Sequence, residues 1–172
     1  MTLLQIAFLT VFPALVIVAA LRDLTSFTIP NWISVVLAVA FVPAALLAGL
    51  PASALGLHAL VGLAGFAAAI AMFALGWIGG GDAKLFAVAA LWLGWPAAGA
   101  FALITGLAGG ALAVGLLGLR TDWVRAHAPS VPDWARRLME PNGPAPYGVA
   151  IACGALAAFP ASDLIAAFQG SL

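Results

Sequence analysis

Two aspartates are the residues best placed to do chemistry in this sequence. Asp23 follows an apolar N-terminal stretch, and Asp82 follows three glycines in a row, Gly79-Gly80-Gly81. A carboxylate beside a low-dielectric layer is costly, so acids at membrane depth are functional candidates. Held close together, two carboxylates cannot both ionise cheaply; they share one proton and titrate as a unit. The ionised member takes a proton from water while the protonated member donates to a peptide carbonyl. Such a pair hydrolyses an amide with neither a metal nor a covalent intermediate. The competing reading is that each aspartate merely marks a helix end at the interface. Glycine costs about 1 kcal/mol per residue in a helix interior, so the triplet favours irregular backbone. At membrane depth such backbone is tolerated only where it is buried in protein or lines a wet cavity. Its unpaired groups could receive an extended peptide as an added strand; a flexible interhelical turn is the plainer alternative.

The elements that position these residues are apolar. Of 172 residues, 65% are hydrophobic and 7% charged, and the mean hydropathy is +1.18. Soluble domains run nearer 45–50% apolar and about 25% charged, so a soluble domain is excluded and an integral membrane protein is expected. Six Lys and Arg balance six Asp and Glu, which excludes nucleic-acid binding through a basic surface. A single cysteine, Cys153, excludes a disulfide framework and a multi-cysteine metal site. At this length one membrane-embedded domain over 1–172 is expected.

Gaps between charges locate the apolar segments. Leu3–Leu21 forms the first, read as a retained helix because no basic region precedes it. The uncharged run from Leu24 to Gly81 would reach about 87 Å as helix, too long for two crossings without a connection. Gly49-Leu50-Pro51-Ala52-Ser53 supplies one, leaving segments over 31–48 and 55–77. The run from Leu85 to Leu119 would reach about 52 Å, and Gly94-Trp95-Pro96 divides it into a short helix over 83–93 and a longer one over 96–119. The last segment covers 147–168. An all-α bundle of six transmembrane helices results. Its connections 22–30, 78–84 and 120–146 then share one face and hold Arg22, Lys84, Arg120, Arg125, Arg136 and Arg137, every basic residue but histidine. The positive-inside rule makes that face cytoplasmic and both termini non-cytoplasmic. Asp23 and Asp82 fall on it together.

Three segments resemble those of a known family. Gly79-Gly80-Gly81-Asp82-Ala83-Lys84-Leu85 resembles the second active-site motif of the type IV prepilin peptidases, membrane aspartic proteases of the GxGD type. Asp23-Leu24-Thr25-Ser26-Phe27-Thr28-Ile29-Pro30-Asn31-Trp32 resembles the first, and Pro146-Tyr147-Gly148-Val149-Ala150-Ile151-Ala152 the final-helix signature. The resemblance is to the short form associated with Flp/Tad pili, which lacks the CxxC-bearing extension, so N-methylation is not expected. Phe27-Thr28 stands where many members have basic residues.

The resemblance implies that Asp23 and Asp82 form a catalytic dyad, with Gly79 and Gly81 shaping the backbone around Asp82. Pro30 suits a helix's first turn and with Asn31 starts the second helix. Lys84 either tunes the Asp82 charge or anchors a helix end at the interface. Tyr147 and Gly148 either line the site or pack helices. The implied substrates are prepilins or pseudopilins, cut at the cytoplasmic face of the inner (plasma) membrane after a glycine ending a basic leader. No cofactor, metal or nucleic acid is expected. A preflagellin peptidase is the nearest alternative, and a transporter, channel or assembly scaffold using the acids to bind cations is the alternative outside enzymes.

The remaining residues carry plainer expectations. His58 and His127 have no partners at ligand spacing, Asp163 is read as a water-facing helix end, and Cys153 as a small buried apolar residue. Gly106 and Gly110 stand at GxxxG spacing and, with Gly62, Gly65, Gly115 and Gly118, read as helix-packing sites. Ser130-Val131-Pro132-Asp133 has capping-box form and opens a helix whose Trp134 and Leu138 oppose Arg136 and Arg137, as on a headgroup surface.

Overall fold

The computed structural model describes residues 3–127 and 131–170, and every regular element among them is helical. In chain order these are α1 (Leu3–Ser26), α2 (Asn31–Leu47), α3 (Ala52–Ala74), α4 (Gly80–Leu93) and α5 (Ala97–Leu119). Two short helices follow, α6 (Asp122–His127) and α7 (Asp133–Leu138). The chain ends in α8 (Tyr147–Ala158), a 3-10 turn (Phe159–Ala161) and α9 (Asp163–Gly170).

The helices stop where turn residues stand. Gly49 and Gly94 adopt φ of +74° and +62°, a region open to glycine at no steric cost, and Pro51 and Pro96 follow them. Four helical stretches are long and apolar enough to cross a membrane: Leu3–Ser26, Ala52–Ala74, Ala97–Leu119 and Tyr147–Gln169, the last counted through the 3-10 turn. Asn31–Leu47 is a shorter apolar helix, and α4 has only 14 residues. Among the described residues the fold is thus all-helical, with four stretches long enough to cross a membrane and one shorter apolar helix, as in an integral membrane protein.

Several boundaries differ from the sequence reading, and α3 starts and ends three residues early, at Ala52 and Ala74 rather than 55 and 77. α1 runs past Leu21 to Ser26, so Arg22 and Asp23 ride on the helix rather than in a connection over 22–30. The hydroxyls of Thr25 and Ser26 donate to the carbonyls of Leu21 and Arg22 at 2.7 and 2.6 Å, bonds that polar side chains make along a helix end. α4 begins at Gly80 rather than Ala83, its start closed by the Asp82 carboxylate, which reaches back to accept from the Gly79 N–H. The segment over 147–168 is broken at Phe159-Pro160-Ala161, since proline removes a ladder donor. Ser130 lies outside the described residues, and α7 starts behind Pro132, which makes no side-chain cap.

α4 lies in the middle and packs against α2, α3, α5 and α8; α1 packs on α2 and α8, and α5 on α8. Small residues permit the closest of these approaches. A Cβ on Gly62 would lie 3.0 Å from Leu91 Cβ, and one on Gly65 2.8 Å from Ala90 Cβ. Gly154 lies against Thr105 with no room for a side chain. Around the C-terminal end of α4, Trp92 stacks on Phe12 at 5.2 Å and meets Phe41 edge-on at 5.9 Å. Phe12 also touches Phe159 at 4.8 Å. The Trp92 indole N–H donates to the Leu37 carbonyl at 2.9 Å, as a buried indole requires.

His58 is buried at the same end, its Nδ1 2.7 Å from the Leu91 carbonyl oxygen and its Nε2 4.0 Å from Asp163 Oδ2. Asp163 opens α9 and is partly buried rather than wholly water-facing. Cys153 is exposed, against the expectation of burial. Leu63, Leu103 and Val114 are among the large apolar side chains on the outside, as a lipid-facing exterior requires. Trp92→Ala is expected to cost about 3–5 kcal/mol. It should lower the thermal midpoint in detergent, whereas Leu103→Ala, on the outer surface, should leave it unchanged.

Candidate active site

The proposed acids reach one cavity from opposite directions along the chain. Asp23 projects from the last turns of α1 and Asp82 from the first turn of α4, and the two are only 5% and 6% exposed. After Ser26 the chain reverses at Phe27, whose φ is +54°; its N–H donates to the Asp23 carbonyl at 2.8 Å. That reversal carries Thr28 and Ile29 back across the end of the bundle. Asp23, Phe27, Thr28, Ile29, Gly79, Gly80, Gly81 and Asp82 enclose an open cavity of about 270 Å³. Water occupies about 30 Å³ per molecule, so the cavity has room for a peptide bond and the water that would attack it.

Each carboxylate takes a backbone N–H from a glycine. Gly79 N–H donates to Asp82 Oδ2 at 3.1 Å, and Gly148 N–H to Asp23 Oδ2 at 2.7 Å. Gly79 is the residue before α4, and Gly148 is the second residue of α8. Both donors are free helix N-terminal amides at the positive end of a helix dipole. Asp82 Oδ1 is buried with no hydrogen-bond partner among the described residues. Both acids thus line one cavity, with polar backbone around them.

Glycine is required here by space. A Cβ on Gly148 would lie 2.9 Å from both Asp23 Oδ2 and Ile29 Cδ1. One on Gly81 would meet Ile29 Cβ at 3.1 Å, and one on Gly79 would meet Asp82 Oδ2 at 3.0 Å. Ile29 is thus wedged between the glycines of two motifs and forms a wall of the cavity. It stands inside the first motif, yet nothing in its chemistry marked it; only its apolar bulk beside two glycines could have.

The other candidates are placed as follows. Pro30 precedes α2 instead of occupying its first turn, and its carbonyl accepts from Ile33 N–H at 3.1 Å. Asn31 opens α2, and its Oδ1 accepts from Lys84 Nζ at 2.7 Å. This bond ties the residue after Ile29-Pro30 to the second residue after Asp82, outside the cavity wall. Tyr147 does not line the cavity; its ring packs over Gly109 of α5, 3.7 Å from where a Cβ would be.

Gly148→Ala is expected to displace the Asp23 carboxylate and Ile29 together. A misplacement near 1 Å costs about a hundred-fold in rate, so turnover should fall by that order while the circular dichroism of the purified protein is retained. The model of the type IV leader peptidase family matches residues 10–114, a span that includes both aspartates and the glycine triplet. No curated protein and no solved structure gives a match. With the family model covering more than half of the chain, the protein belongs to the type IV leader peptidase family.

Proposed function

We propose that this chain is an aspartic endopeptidase that removes the leader from type IV prepilins of the Flp/Tad kind, or from pseudopilins, with Asp23 and Asp82 as its catalytic dyad. The observation that carries this reading is the shared cavity: two buried carboxylates, each held by one glycine N–H, opening to the outside of the bundle. In this mechanism the pair holds one proton between them. One carboxylate draws a proton from water as the water attacks the scissile carbonyl carbon, and the other donates its proton to the carbonyl oxygen. Collapse of the tetrahedral intermediate breaks the C–N bond, and a proton passes to the departing amine. Gly79 and Gly148 keep the carboxylates in register. Gly81 admits Ile29, and the Lys84–Asn31 bond keeps α4 against the start of α2. A simple cation relay has no use for such a backbone-lined cavity, and membership of a peptidase family favours hydrolysis.

In the same proposal all six apolar segments cross the inner membrane, with both termini outside and the cavity facing the cytoplasm. Lys84 stands beside the cavity, and Arg120 donates to the carbonyls of Leu138, Gly143 and Pro144, gathering the polar connection over the end of α5. That keeps the basic residues on one side, as the positive-inside rule asks. A water-accessible position at the cytoplasmic interface supplies the second reactant.

Asp23→Asn and Asp82→Asn, made separately, should each slow processing of a co-expressed prepilin by at least about a hundred-fold, seen as accumulation of the longer form on a gel. Both variants should reach normal levels in the membrane. Processing by either variant at the unmodified rate would sink the dyad assignment.

A further inference from the structure

A second and larger cavity opens on the flank of the bundle. It holds about 550 Å³ and is walled by the end of α3, Trp77 and Ile78, Phe86 of α4, one face of α5 from Ala102 to Ala113, and Tyr147, Ala150 and Ile151 of α8. Its origin is architectural. α3 packs on α4 and α5 packs on α8, so a cleft is left between α3 and α5 with α4 and α8 as its floor. Along α5 it extends about 16 Å, roughly half the depth of a bilayer core.

Two features distinguish this cleft from an ordinary gap between helices. First, its wall adjoins the candidate active site along the chain. Ile78 immediately precedes Gly79, whose N–H holds Asp82, and Tyr147 immediately precedes Gly148, whose N–H holds Asp23. The Ile78 and Tyr147 end of the cleft therefore lies one residue along the chain from each glycine that holds an acid. Second, of the three α5 glycines that face it, only Gly109 meets a neighbour, Tyr147 and Ala150 of α8. A Cβ on Gly106 or Gly110 would meet nothing within 4 Å. Gly62, Gly65 and Gly154 are filled by neighbouring helices, but these two are not, contrary to the packing role read from their spacing. Glycines four apart let a second helix approach the backbone closely.

We propose that this cleft seats the apolar helix of the membrane-anchored substrate, laid against Gly106 and Gly110, so that the peptide leading out of that helix arrives at Asp23 and Asp82. The proposal rests on the peptidase reading and adds the surface that selects substrates. Recognition then comes chiefly from helix packing in the membrane, with the scissile bond placed by its distance from the end of the helix. This accounts for how a cavity of about 270 Å³ can act on a long apolar substrate: it has to hold only the few residues beside the cut.

The test uses the full-length protein in liposomes with a prepilin that retains its apolar helix. Gly110→Leu should slow processing at least ten-fold. For a readout that does not depend on activity, Gly106→Cys is made in an Asp82→Asn, Cys153→Ala background, and a cysteine is scanned along the substrate helix. Disulfide formation should be strong from Gly106→Cys and weak from Leu63→Cys, at similar depth on the lipid-facing side of α3. Equal cross-linking from both positions overturns the proposal. So does absence of a cross-link at Gly106→Cys, as expected if lipid fills the cleft, or a cross-link only to a second copy of the enzyme. Those outcomes leave the dyad untouched where the unmodified protein still cleaves; failure of the unmodified protein to cleave any prepilin defeats the peptidase reading instead.

Discussion

Burial of two carboxylates inside an apolar helical bundle is the constraint on which the rest of the structure depends. An isolated ionised acid in such surroundings carries a large desolvation penalty, and the charge persists only if hydrogen bonds and partners replace water. Here the replacements are backbone amides at two helix N-termini. Gly79 precedes α4 and Gly148 lies in the first turn of α8, and each gives its free N–H to one acid. The helices that converge on the cavity thus bring the donors with them. Because the donors must come within 3.1 Å of the carboxylate oxygens or closer, both residues are ones whose side chain would collide with the acid it serves.

The helix α4 is short: its fourteen residues rise about 21 Å, less than the roughly 30 Å of a bilayer core. It is anchored at one end by Trp92, Phe12 and Phe41, and its other end, with Asp82, is recessed among its neighbours. The aromatic cluster and the cavity sit at opposite ends of α4, so dense packing at one end leaves the other open to water. Lys84 and Asn31, joined at 2.7 Å, hold the recessed end against α2 without occupying the cavity.

Glycine does four different jobs in this chain. At Gly49 and Gly94 it permits a positive φ that ends a helix. At Gly62, Gly65 and Gly154 it lets helices touch, and at Gly79, Gly81 and Gly148 it makes room for the acids and Ile29. At Gly106 and Gly110 it leaves bare backbone facing a cleft. Composition alone does not separate these roles, since Gly62–Gly65 and Gly106–Gly110 both lie in stretches rich in small residues.

By itself the sequence determined the class, the order of apolar segments, the breaks at Gly49 and Gly94, and the two acids with their glycine triplet. These depend on composition and on near neighbours along the chain, which act before any tertiary contact exists. Tertiary structure decided the rest. It carried α1 through Asp23, wedged Ile29 between Gly81 and Gly148, paired Lys84 with Asn31, and turned Tyr147 away from the cavity toward α5. Each of these depends on how a helix is rotated about its own axis and where its neighbours lie. A helix apolar nearly all round has no polar stripe to show its orientation, so only packing against α4 could settle which face looks inward.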